Sequence, residues 1–187
     1  MELQGERLIA APLDQTWAAL NDPEILKACI TGCESLERTS DDSFSASMAV
    51  KIGPVSARFK GHLKLSNVVP PTGYTIHFDG QGGVAGFGKG SAEVSLAAEG
   101  AQTRLKYVAK AQVGGKMAQV GSRLVDAAAA KMADDFFSAF EARLAPPAAV
   151  EAGPVPMPAD TEQGNRALWW GIALLVLLLL LWFWFSR

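Results

Sequence analysis

Arg104-Leu105-Lys106-Tyr107-Val108-Ala109-Lys110-Ala111-Gln112-Val113-Gly114-Gly115-Lys116-Met117-Ala118-Gln119-Val120-Gly121-Ser122-Arg123-Leu124 sets two different periodicities on either side of a glycine pair. Up to Val113, apolar residues alternate with Arg104, Lys106 and Lys110, the period-two pattern of a half-buried antiparallel strand. From Lys116 the spacing changes to three and four, through Met117, Val120, Leu124, Ala128, Met132, Phe136, Phe140 and Leu144. That spacing predicts one amphipathic helix from about Lys116 to Leu144, on the order of 40 Å long.

Working back from this junction, the period-two pattern recurs. Phe44, Ala46, Met48, Val50 and Ile52 alternate with small or polar residues, as do Phe59, Leu63 and Leu65, then Tyr74, Ile76 and Phe78, then Ala92, Val94 and Leu96. A short strand is expected around Gln4 to Ile9. Ala11-Pro12 opens a first helix with an acid in its first turn, and Asn21-Asp22-Pro23 opens a second. A strand, two short helices, a meander of strands and a long final helix define an α+β fold, a curved antiparallel sheet closed on one side by that helix. Ala46, Gly61, Ala92, Ala109 and Ala111 on the strands meet Ala118, Gly121 and Ala127 to Ala130 on the helix. Such small residues either leave volume unfilled or let the layers close tightly, and the sequence fits both.

Beyond Leu144 the composition changes. Five of the ten prolines fall between Ala145 and Arg166, with no hydrophobic periodicity, which reads as a semi-rigid linker reaching at most ~68 Å in polyproline geometry. Leu168 to Phe185 then runs uncharged for eighteen residues, roughly 27 Å of helix, with tryptophan at both ends. Three segments are therefore expected: a domain over 1–144, a linker over 145–166 and a single C-terminal membrane anchor over 167–187. The N-terminal residues lack a basic start and an apolar stretch, so no export signal is read and the domain is expected on the cytoplasmic face of the inner membrane.

The net charge of −2 gives no general electrostatic case for nucleic acid. Its distribution is uneven: residues 1–50 carry −6, residues 51–131 carry +7 and residues 132–165 carry −5. Cys29 and Cys33, spaced C-x-x-x-C, with only His62 and His77 as nitrogen donors, are too few for a structural zinc site and wrongly spaced for a redox pair. Both histidines fall on the outward parity of their strands. Gly83, four residues on Gly88-Lys89, nearly spells a phosphate-binding loop, but Gly90 replaces the required hydroxyl residue and a strand follows instead of a helix. No nucleophile with its base and no convergent pair of carboxylates can be assembled, so no catalytic or metal site is expected. Met117, Phe136, Phe137 and Phe140, at helical spacing, fit either core or the wall of a ligand site.

Ala11-Pro12 with Trp17 and Leu20-Asn21-Asp22-Pro23, Gly32-Cys33-Glu34, Val50-Lys51-Ile52-Gly53-Pro54-Val55 through Phe59-Lys60-Gly61, and Gly114 to Leu124 together resemble the family of the carbon monoxide dehydrogenase G subunit. The resemblance covers residues 2 to 144. It implies a helix-grip, START-like fold with a hydrophobic cavity between sheet and helix. It also implies an accessory role beside a molybdenum-flavin-iron-sulfur hydroxylase such as carbon monoxide dehydrogenase, in membrane recruitment or in passing electrons to quinone. If such a cavity exists, parity points Met48, Phe59, Leu63, Phe78, Val94 and Tyr107 into it from the sheet. Met117, Val120 and Leu124 would face it from the helix, with Phe87 near its mouth. Tyr107 would be the polar tip that meets a carbonyl. The ligand expected is lipophilic, a menaquinone or ubiquinone, held noncovalently, with membrane lipid and the hydroxylase as partners. A recruitment adaptor with a filled core, and a small cavity enzyme of cyclase or hydrolase type, are the competing expectations.

Overall fold

The computed structural model of the chain describes residues 1–145. All but the first residue of the proline-rich linker, and the whole of the expected membrane anchor, lie outside the described residues. Among the described residues no helix is long and apolar enough to cross a membrane.

The elements run β1 (Glu2–Ile9), α1 (Leu13–Leu20), α2 (Pro23–Cys29), β2 (Cys33–Ser40), β3 (Ser43–Ile52), β4 (Val55–Val69), β5 (Gly73–Gln81), β6 (Phe87–Glu99), β7 (Gln102–Gly114), α3 (Lys116–Gln119) and α4 (Ser122–Leu144). The seven strands form one sheet in the order β1-β7-β6-β5-β4-β3-β2, every neighbouring pair antiparallel. The inner face of the sheet carries α4. Local chemistry starts the short helices: Pro12 caps α1, and the Asp22 carboxylate accepts the backbone N–H groups of Glu24 and Ile25 at 2.9 and 3.4 Å, satisfying amides that the helix leaves unpaired.

Two features depart from the sequence reading. The edge strand β2 was not expected, because its outer half from Glu37 to Ser40 is exposed residue after residue and shows no alternation. The expected continuous helix from Lys116 to Leu144 is two helices. Gly121 has φ +99°, a conformation that side-chain-bearing residues rarely adopt, and the chain turns there before α4 starts.

Packing is uneven along α4. Its C-terminal half enters a core with Ile9, Ala11, Ala19, Leu20, Leu96 and Leu105, in which Phe140 is fully buried. A buried pair of threonines ties that core to the chain: Thr103 Oγ1 donates to the Ala11 carbonyl at 2.8 Å, and Thr16 Oγ1 lies 3.2 Å from Thr103 Oγ1. Between Val125 and Phe137 no residue of α4 is buried. Antiparallel pairing assigns the turns to two ends. The β2/β3, β4/β5 and β6/β7 turns lie at the packed end with α1 and α2. The β3/β4 and β5/β6 turns and the β7-to-α4 connection lie at the other.

Candidate functional site

The sheet face under the N-terminal half of α4 is short of side chains. Ala46, Gly61, Gly80, Gly88 and Val113 are successive cross-strand partners from β3 to β7, and all lie on the inner parity. They make a trough across the sheet. A Cβ built on Gly88 would meet nothing within 4 Å, and one on Gly80 nothing nearer than 3.8 Å. Beside the trough, aromatic rings lie flat over glycines of the neighbouring strand or turn. A Cβ on Gly90 would sit 2.8 Å from Phe78 Cζ, one on Gly82 2.6 Å from Phe59 Cζ, and one on Gly5 2.6 Å from Tyr107 Oη. Rings lowered in this way leave height above them, on a space that Met132 of α4 also borders.

The result is a pair of apolar chambers. The outer one, about 320 Å³, lies over the trough and is walled by Met48, Phe59, Leu63, Phe78, Met117 and Met132 among others, with Phe87 at its edge. The inner one, about 310 Å³, reaches from Leu63 and Tyr74 to α2 and to Phe136 and Phe137 of α4. Ala46, Met48 and Leu63 belong to both, so the chambers share a wall. Each alone reaches the lower end of the roughly 300–1,000 Å³ of small-molecule sites.

Of the ten residues read from the sequence as candidate lining, Met48, Phe59, Leu63, Phe78, Phe87 and Met117 border the outer chamber, and Met48, Leu63, Val94 and Tyr107 border the inner one. Val120 and Leu124 border neither. The positive φ of Gly121 resets the rotation of the helix. Val125 is buried in place of Leu124, whose side chain is 51% exposed, and Val120 caps α3 outside the walls. Helical spacing counted across that glycine gave the wrong face.

Sequence reasoning passed over Tyr74, Phe44, Leu36 and Met132. Tyr74, Phe44 and Leu36 are buried. The first two follow from the same strand parity that found Met48, whereas Leu36 sits on the strand whose alternation is weak. Phe136 and Phe137, open to either reading, line the inner chamber, while Phe140 belongs to the core.

The polar groups in these walls are few. Tyr107 stacks on Phe137 with ring centroids 5.2 Å apart, and Tyr74 meets Trp17 edge-on at 5.5 Å. Burial pushes the Tyr74 hydroxyl well above the usual phenol range, so it stays a neutral hydrogen-bond donor. Cys33 borders the inner chamber, Cys29 is buried, and desolvation raises both thiols, which favours their protonated form. The charged residues lie at the margins. Arg7 spans from β1 to Asp134 of α4 with its guanidinium 5.6 Å from the Phe137 ring, and Arg104 joins Glu6 and Glu99 on the outer face. His62 and His77 are exposed on that outer face, His77 bonded to Ser66 at 2.9 Å.

A curved antiparallel sheet gripping a C-terminal helix around an apolar hollow defines a START-like domain, and solved structures agree. A conserved protein from Geobacillus kaustophilus is 29% identical with a TM-score of 0.73, over 78% of this chain and 95% of that one. A START superfamily protein from Mycobacterium smegmatis is 15% identical with a TM-score of 0.59, over 76% of this chain and 96% of that one. The Zhui aromatase/cyclase from Streptomyces sp. R1128 is 13% identical with a TM-score of 0.55, over 77% and 93%. No curated protein matches the chain. The chain belongs to the family of the carbon monoxide dehydrogenase G subunit (CoxG), whose profile matches residues 5–145. Family and fold together are those of an accessory protein with a site for a hydrophobic ligand.

Proposed function

We propose that this protein holds an isoprenoid quinone, menaquinone or ubiquinone, in its two chambers and links a molybdenum-flavin-iron-sulfur hydroxylase of the carbon monoxide dehydrogenase type to the cytoplasmic face of the membrane. The observation that carries this reading is the apolar hollow with two phenols in its inner part. A quinone matches that pattern: its flat ring and isoprenoid tail bury apolar surface, and its carbonyl oxygens accept hydrogen bonds from Tyr74 or Tyr107. A quinone takes up two electrons and two protons to become a quinol, so a bound quinone would serve as the acceptor for electrons leaving the hydroxylase. The accessory protein contributes binding and placement, and the chemistry belongs to its partner and its ligand.

Thermal unfolding of the full chain in detergent, with and without added menaquinone or ubiquinone, tests the reading. A ligand that binds only the folded state stabilises it by about 2.7 kcal/mol at a hundredfold excess over Kd, which is several degrees in Tm. The expected result is such a rise, lost when the trough is filled by Gly88→Leu. An unchanged Tm with both quinones would refute the quinone assignment.

A further inference from the structure

We infer that the end of the domain where the outer chamber opens is a docking surface for an anionic phospholipid bilayer. Three tips meet there: the β3/β4 turn at Gly53-Pro54, the Gly83–Ala85 turn between β5 and β6, and α3 with the first turn of α4. They touch one another. A Cβ on Gly53 would lie 3.9 Å from Leu124 Cδ1, and one on Gly115 would lie 2.5 Å from the Gly86 Cα. Ile52, Phe87 and Met117, one from each tip, are walls of the outer chamber.

Large apolar side chains stand out of this end, uncovered by the described residues. Val84 is 85% exposed, Leu124 51% and Phe87 36%. Lys51, Lys89, Lys116 and Arg123 surround them, and none of the four forms an ion pair with an acid among the described residues. Lys89 Nζ lies 5.9 Å from the Phe87 ring centroid, so a cation and an exposed apolar group share one spot. Of the acids at this end, Asp79 lies across the strands from Lys89, Asp126 lies three residues along α4 from Arg123, and Glu34 is bound to Arg58. The opposite end mixes both signs: Asp42 pairs with Lys64, Glu99 pairs with Arg104, and Arg38 donates to the Asp41 and Asn21 carbonyls. Apolar tips ringed by cations fit the interface of an anionic membrane, where the tips enter the headgroup boundary and the cations meet lipid phosphates.

The surface does not depend on which ligand the chambers hold.

Hydrogen exchange of the full chain in nanodiscs tests the inference, comparing phosphatidylcholine alone with phosphatidylcholine containing phosphatidylglycerol. Slower exchange is expected at 51–55, 83–87 and 116–124 in the anionic discs, with the 98–102 turn unchanged. Each cation near an anionic surface strengthens docking by about fivefold. The double substitution Lys116→Gln and Arg123→Gln should thus weaken the docked population by about twenty-five-fold and restore exchange at all three tips. Equal exchange in both lipids would overturn the inference, as would protection at 98–102, or protection of the tips only after the hydroxylase is added.

Discussion

Gly88 and Gly90 lie two residues apart on the same face of β6 and have opposite surroundings. Gly88 faces open space over the trough, whereas a methyl on Gly90 would strike the Lys110 carbonyl and lie 2.8 Å from the Phe78 ring. Gly88→Leu should therefore fill part of the outer chamber with no loss of stability, while Gly90→Ala should cost about 1–3 kcal/mol. Chemical denaturation of the two variants checks this, and equal losses would mean the trough is closed in solution. Tyr74 offers a second test at this scale, since the chain has two tyrosines and Tyr107→Phe leaves Tyr74 alone. Burial holds the Tyr74 proton beyond the ordinary phenol value, so the unfolded chain gives up that proton first as the solution becomes alkaline. The stability linked to it is intact below the ordinary value near 10 and is lost as pH climbs through the raised one. Ultraviolet titration of Tyr107→Phe should show phenolate only as the protein unfolds. A phenolate signal from folded protein near the ordinary value would contradict the burial of that ring.

The elements divide into those that sequence periodicity reveals and those set by single residues. β3 to β7 were legible because one face packs and the other is wet, which forces alternation on each strand. The inward set from Met48 to Tyr107 followed from the same rule, since side chains on a strand change face at every step. β2 was hidden because an edge strand with an exposed outer half needs no alternation. The helix break was hidden because Gly121 carries no side chain to interrupt the apolar spacing around it, and the misplacement of Val120 and Leu124 came with it. The trough was hidden for a further reason: glycines from three strands become one row only when the register pairs Gly61 with Gly80 and Gly80 with Gly88. Gly121 itself gives the prediction at this scale. Its φ of +99° with ψ 141° suits glycine alone, so Gly121→Ala should destabilise the domain by about 1–3 kcal/mol even though no atom lies within 4 Å of the added methyl. A denaturation midpoint equal to that of the parent would show that α3 and α4 join without strain.

Across the whole molecule core and chambers interleave, and α4 belongs to both: Phe140 is core while Phe136 and Phe137 border the inner chamber. The C-terminal half of α4 enters the core, and Met132 borders the outer chamber that the glycine row leaves open. Water in an apolar space of this size finds few polar partners on the walls, so an apolar occupant stabilises the fold. The glycine row faces open space at Gly88, which is why a filled trough should abolish binding without unfolding the protein. The most direct test is organic extraction and mass spectrometry of the full chain purified from membranes, alongside Gly88→Leu with its Tm measured. The account predicts quinone at one equivalent per parent chain, none in the variant, and a variant Tm no lower than that of the ligand-free parent. A parent that carries no lipophilic molecule, together with a variant that unfolds well below it, would show a close-packed interior and contradict the account.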